Sequence, residues 1–114
     1  MSISLNNIES RVTALEKKTN NGIGIGYGQR WYNVTRMRSS NTNYTNTTGQ
    51  PIMINVSDGG AYNYPKIFVD NIKVAFIDGG AESDSTLSAI IPPNSTYRVE
   101  HTFTFWCELR SNNM

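Results

Sequence analysis

The fold class of this 114-residue chain is decided by the segment Ile52-Met53-Ile54-Asn55-Val56-Ser57. Its β-branched residues occupy every second position, and the positions between them are polar or flexible. Successive side chains of a strand point to opposite faces, so this alternation predicts a strand with one buried face. The segment therefore favours a sheet that packs against a second layer.

Similar short runs lie on both sides of this segment, separated by turn signals. The predicted strands cover residues 29–34, 52–57, 66–69, 72–77, 85–91, 95–100 and 102–110. Residues 41–49 are polar and predict a loop or an edge strand. Asp70-Asn71 predicts a two-residue hairpin turn, because both residues tolerate a positive φ. Short strands without a second helical pattern predict a mainly β fold, an antiparallel β-sandwich.

The last predicted strand also carries the single cysteine, Cys107. Alternation places Phe103, Phe105, Cys107 and Leu109 on one face, and we expect this face to be the buried one. A lone cysteine excludes an intrachain disulfide and a zinc site built from cysteines. We therefore expect a buried, unreactive thiol.

An amphipathic segment precedes the β-region. Its apolar residues are Leu5, Ile8, Val12 and Leu15, at spacings of three, four and three. This spacing is typical of the a and d positions of a coiled coil. The alternative is an ordinary amphipathic helix packed on its own domain.

Arg11 and Glu16 flank this seam at positions g and e. They are placed to form an ion pair between neighbouring helices. The pattern Arg-apolar-x-x-apolar-Glu over residues 11–16 also resembles a short motif of trimeric coiled coils. We therefore predict trimerisation. Two heptads are too short to hold a trimer alone, so we expect the β-domains to supply most of the interface.

The predicted organisation has three parts: a coiled-coil stalk at 1–20, a glycine-rich neck at 21–28 and a β-sandwich at 29–114. Glycines at every second position of the neck superficially resemble a phosphate loop. No helical pattern follows them and no Lys-Ser/Thr closes the motif, so a nucleotide site is not expected. Alternating glycines suit a tight connection between helix and sheet.

Charge and hydropathy argue against two classes of partner. The chain has 10 Lys and Arg against 9 Asp and Glu, a net charge of +1. Without a sustained basic field, nucleic acid is not an expected partner. No run approaches the roughly 18 apolar residues of a membrane span, and the start lacks the apolar stretch of a signal peptide. We therefore expect no membrane insertion and synthesis in the cytoplasm.

Motifs for catalysis, metals and cofactors are weak. Asp58-Gly59-Gly60-Ala61 and Asp78-Gly79-Gly80-Ala81 lack the repeated carboxylates of a calcium loop and predict strand-end turns. His101 is the only histidine, and it has no partners recognisable from spacing. A glycosidase pair of carboxylates could form only across strands or subunits. We expect no enzymatic activity, no metal and no cofactor.

Aromatic residues in polar surroundings give the best functional signal. Planar rings stack on sugar faces, and nearby amides and cations bond hydroxyl groups. The candidate receptor-binding residues are Tyr62, Asn63, Tyr64, Tyr44, Trp31 and Arg38. The alternative for Trp31 and Trp106 is a place in the core or in a subunit interface.

Two segments carry a family resemblance: residues 28–35, Gly-Gln-Arg-Trp-Tyr-Asn-Val-Thr, and residues 44–56, Tyr-Thr-Asn-Thr-Thr-Gly-Gln-Pro-Ile-Met-Ile-Asn-Val. Residues 69–75, 90–97 and 106–110 support it. Together they resemble the tip domain of bacteriophage and prophage tail fibres over most of residues 22–110. The resemblance implies a trimeric fibre end that recognises a bacterial surface receptor. It implies no catalytic residue, and the loops of such tips vary too much to transfer contacts.

The resemblance and the residues together predict a homotrimeric, non-enzymatic adhesin at the end of a virion tail fibre. It would bind a surface polysaccharide or an outer-membrane receptor, with avidity from several weak sites. It would be made in the host bacterial cytoplasm and join the remainder of the fibre. One alternative is a structural trimerisation and folding cap without receptor contact. Another is a polysaccharide-cleaving enzyme.

Overall fold

A computed structural model describes residues 24–58, 64–77 and 85–111 of the protein. The predicted stalk at 1–20 and the first residues of the neck lie outside the described residues, so the coiled coil stays a prediction. Within the described neck, Gly26 and Gly28 have φ angles of 99° and 68°. These left-handed conformations favour glycine and allow the chain to turn into the first strand.

The described chain is mainly β, as predicted. Its strands are β1 (Arg30–Asn33), β2 (Tyr44–Thr45), β3 (Ile52–Ser57), β4 (Lys66–Val69), β5 (Ile72–Phe76), β6 (Thr86–Ile91), β7 (Thr96–Glu100) and β8 (Phe105–Arg110). A single 3-10 turn, Thr35–Met37, follows β1. The residues predicted as polar loop or edge strand include β2, a two-residue edge strand.

Two antiparallel four-stranded sheets form the predicted sandwich. Sheet A has the strand order β1-β8-β3-β6, and sheet B has the order β2-β7-β4-β5. The β4–β5 hairpin turns at Asp70 and Asn71, whose φ angles are 51° and 66°. This turn confirms the prediction from the Asp-Asn pair.

The core lies between the sheets, and β3 forms its centre. Ile52, Ile54 and Val56 are fully buried, which confirms the alternation in the segment that predicts the fold. Sheet B contributes Ile67 and Val99, which are also fully buried. The remaining core residues are Val34, Val69, Ile91, Tyr97 and Trp106.

The predicted orientation of the last strand is wrong. Trp106, Glu108 and Arg110 point into the core, whereas Phe105 is 39% exposed on the other face. Cys107 is only partly buried. The physical reason is that a glutamate is buried here with enough hydrogen-bond donors to stabilise it, and hydropathy alone cannot anticipate such a site. Partial burial and the nearby Glu108 carboxylate raise the pKa of the Cys107 thiol.

The sandwich has two distinct ends. The described neck, the Asp70-Asn71 turn and the turn at residues 92–95 lie at one end, called here the neck end. The 3-10 turn and the connection 101–104 lie at the opposite, distal end. Ser57 at the end of β3 and Thr86 at the start of β6 pair with each other at this distal end.

Candidate functional site

A buried carboxylate, Glu108, organises the polar interior of the sandwich. Its Oε2 accepts hydrogen bonds from the Tyr97 hydroxyl at 3.0 Å and from the Trp106 indole at 3.1 Å. Arg38 donates from Nη2 to Oε1 at 2.9 Å and from Nε to Oε2 at 3.2 Å. Arg110 Nε lies 3.2 Å from Oε1, an ion pair without the alignment of a hydrogen bond. The network thus joins both sheets to the segment after the 3-10 turn.

Aromatic rings surround the two arginines of this network. The Arg38 guanidinium carbon lies 4.7 Å from the centre of the Tyr44 ring, and that of Arg110 lies 4.6 Å from the Tyr32 ring. Such contacts stabilise partly desolvated cations. Burial lowers the pKa of Arg38, but its bonds to Glu108 outweigh this effect and raise the pKa overall. Both the charge and the position of Arg38 are therefore fixed.

The Glu108 carboxylate has no role that requires access to a ligand. Its side chain is fully buried, and its two oxygens receive four hydrogen bonds. Burial and the negative charge of Glu108 raise the pKa of Tyr97, which stays a neutral donor. We conclude that the network is a structural device that holds the distal end in place.

Two of the candidate receptor-binding residues, Tyr44 and Arg38, belong to this network. The side chain of Arg38 is 10% exposed. Tyr44 is partly buried, and the centre of its ring lies 5.9 Å from that of Trp106. Its hydroxyl accepts a hydrogen bond from Ser39 N at 2.8 Å. The structure brings these two candidates together, but as parts of the buried network around Glu108.

The other candidates lie apart from this pair. Trp31 is 48% exposed on the outer face of sheet A, close to the neck. Tyr64 is partly buried before β4, at the distal end, with a φ of 49°. Tyr62 and Asn63 fall outside the described ranges.

A groove at the distal end was not predicted from the sequence. Its volume is about 590 Å³, and it is lined by Asn33, Thr35, Arg36, Met37, Thr104 and Phe105. Met37 is 61% exposed, and Phe105 presents an exposed ring. Among the described residues, Arg36 forms no ion pair. The groove therefore combines apolar surface with a cation and several hydroxyl and amide groups.

Hydrogen bonds fix the floor of this groove. Asn33 Oδ1 accepts from Thr35 N at 3.1 Å and from Thr35 Oγ1 at 2.8 Å. Trp106 N in turn donates to Thr35 Oγ1 at 2.9 Å. The two-point bond between Arg38 and Glu108 then anchors the chain directly after Met37. Preorganised polar groups of this kind lower the entropic cost of binding a ligand.

The sequence contained only a weak signal for the groove. Asn33 and Thr35 lie within residues 28–35, and neither residue is unusual by itself. The sequence predicts Phe105 in the core, but β8 turns the face with Trp106 inward, so Phe105 lies at the surface. Arg36 and Met37 join the groove through the 3-10 turn, whose position depends on the buried Arg38–Glu108 contact.

In the described part of the chain, no three His, Cys, Asp or Glu side chains are arranged to hold a metal ion. No described helix has the length and apolar character needed to cross a membrane. The chain matches no family model, no curated protein and no solved structure.

Proposed function

We propose that the protein is the non-enzymatic tip of a phage tail fibre, which attaches as a homotrimer to a glycan on the bacterial surface. The receptor contacts lie at the distal end of each sandwich. The observation that carries the proposal is the separation of the two ends. The described neck lies at one end, while the groove and Tyr64 lie at the other.

The chemistry of the groove supports a sugar as ligand. Phe105 and Met37 provide apolar surface for the carbon face of a sugar ring. Asn33 and Thr104 offer groups that bond hydroxyls, and the Arg36 guanidinium donates to hydroxyl or acidic substituents. A shallow groove of this kind supports weak binding at a single site. Three sites on one trimer, and several fibres per virion, would raise the avidity.

Binding of the full chain to immobilised bacterial polysaccharides on a glycan array tests this proposal. Phe105→Ala and Arg36→Ala should each weaken binding by about tenfold or more, because each removes a direct contact. The matched control is Tyr27→Ala, which removes an aromatic ring that is 55% exposed at the neck end. It should leave binding unchanged.

Other outcomes would contradict the proposal. If no bacterial glycan or cell surface retains the native chain, the structural cap is favoured. If Phe105→Ala, Arg36→Ala and Tyr64→Ala all bind as the native chain does, the distal end is not the receptor site. Release of new reducing ends from a bound polysaccharide would instead indicate an enzyme.

A further inference from the structure

The outer face of sheet A has an unusual composition. Four apolar residues pair directly across its four strands: Trp31, Leu109, Met53 and Ile90, called here the apolar row. Trp31 is 48% exposed and Ile90 is 58% exposed. A continuous row of this kind across a whole sheet is not needed for the core of the same domain.

The same face carries no charge in its described strands. The next row towards the distal end consists of Asn33, Cys107, Asn55 and Ser88. Ser88 Oγ donates to Asn55 Oδ1 at 2.5 Å, so even these polar groups are partly satisfied within the sheet. Outward-pointing strand residues of a solvated face usually include charged side chains.

Sheet B shows the contrast within the same molecule. Its outer face carries Lys66, Lys73, Arg98 and Glu100. Cations lie against two of its aromatic rings: Lys73 Nζ is 4.5 Å from the centre of the Phe76 ring, and Arg98 Cζ is 4.3 Å from that of Phe68. Sheet B exposes Ile72, Val74 and Phe76 on β5, but charged side chains surround them, whereas the described strands of sheet A place no charged side chain on the outer face.

We infer that the apolar row is the surface at which copies of this chain meet one another. The neck enters β1 at Arg30, and Trp31 is the first member of the row. The described neck, residues 24–29, leads into this corner, and residues 5–16 earlier in the chain carry the sequence pattern predicted to join several copies. Copies held together there would bring the neck-end parts of their A sheets close to each other.

The chemistry of the row also favours a second copy over a sugar. Apart from the Trp31 indole N–H, the row offers no hydrogen-bonding side chain, and a sugar would lose most of its hydrogen bonds to water without replacement. Depletion of charged residues is instead the compositional mark of the centre of a protein interface. Trp31, a sequence candidate for receptor binding, is thereby assigned to the contact between copies. The inference rests on the proposed oligomer, not on the proposed receptor.

A matched pair of substitutions in the full chain tests the inference. Trp31→Lys and Phe76→Lys each replace an exposed aromatic by a cation. Trp31 is 48% exposed on sheet A, and Phe76 is 51% exposed on sheet B. Sedimentation at micromolar concentration should give the mass of a trimer for the native chain and for Phe76→Lys. Trp31→Lys and Ile90→Lys should associate about tenfold more weakly or worse, because a charge is buried without a partner. Circular dichroism should show a native sheet in all four proteins.

Cys107 provides a second readout, because it lies on the same face of sheet A, in the row adjacent to the apolar row. Its alkylation by iodoacetamide should be slow in the native oligomer. In Trp31→Lys it should be faster by about tenfold, as exposure of the face increases.

Two results would overturn the inference. The first is a native mass for both Trp31→Lys and Ile90→Lys. If these variants also lose polysaccharide binding, the row is a receptor site: attachment to a glycan then stands, but its placement at the distal end does not. A monomeric native chain in which deletion of residues 1–20 speeds Cys107 alkylation would show that the row is covered by the chain's own N-terminal segment.

Discussion

Arg38 and Glu108 form a two-point ion pair between the segment after the 3-10 turn and the centre of β8, with N–O distances of 2.9 and 3.2 Å. Glu108 is fully buried and Arg38 nearly so. The paired geometry fixes both the distance and the orientation of the turn relative to the sheet. The groove at the distal end therefore takes its shape from a contact within the core.

Glu108→Gln should strongly destabilise the fold. The substitution keeps the size of the side chain but leaves Arg38 and Arg110 buried without their carboxylate. Breaking a buried ion pair in this way costs about 3–5 kcal/mol. Urea unfolding measures the free energy of unfolding. The control is Glu100→Gln, which removes a more exposed pair with Arg98 and should cost about 1 kcal/mol or less. Equal effects of the two substitutions would contradict this role of Glu108.

Asn46→Ala should also destabilise the protein, although Asn46 lies in a polar segment. Its side-chain amide is fully buried and donates to the carbonyls of Gln50 and Ile91 at 2.7 and 3.0 Å. Its Oδ1 accepts from Thr48. Alanine removes all of these buried hydrogen bonds, so we expect a cost of about 2–3 kcal/mol. The exposed Asn43→Ala should change the unfolding free energy by about 0.5 kcal/mol or less. A cost for Asn43→Ala that matches that of Asn46→Ala would refute this explanation.

Asp70 should make stability depend on pH in the acid range. The Ser95 hydroxyl and the Thr96 amide donate to its carboxylate, which lowers its pKa from the ordinary value of 3.8. A lowered pKa stabilises the fold above the unfolded pKa, and this contribution is lost as pH falls through the folded pKa. The stability difference between the native chain and Asp70→Asn should thus be constant near neutral pH and shrink below about pH 4. Urea titrations at several pH values measure it. A difference that grows on acidification would have the wrong sign.

Deletion of residues 1–20 should weaken the proposed trimer without abolishing it. Two predicted heptads are too short to supply the whole association energy, and the β-domains offer the uncharged face of sheet A. Equilibrium sedimentation over a range of concentrations should show trimers reforming as concentration rises. Complete dissociation to monomers at every concentration would place the entire interface in the N-terminal segment.

Local patterns predicted most of the fold. Ile52, Ile54 and Val56 alternate as a half-buried strand must, and Asp70-Asn71 has the turn chemistry that its φ angles require. Both signals depend on neighbours in the sequence. The strand order of the two sheets depends on distant pairings, which alternation does not encode.

The interior of β8 could not be predicted in this way. Alternation alone cannot decide which face is buried when Trp106, Glu108 and Arg110 compete with Phe105, Cys107 and Leu109. The hydropathy of the two sets favours the wrong one. Only the combination of donors from Arg38, Tyr97 and Trp106 makes a buried glutamate stable, and these residues are up to 70 positions apart. The distal groove depends on the same long-range contacts.

Hydrogen exchange of the full chain, with and without a bacterial polysaccharide that it retains, tests the central claim most directly. The account predicts slower exchange on binding at residues 33–37 and 104–105, which contain the residues that line the distal groove. It also predicts unchanged exchange at residues 24–29 and 92–95 at the neck end. Protection confined to the neck end, or no protection at the distal end despite binding, would contradict it.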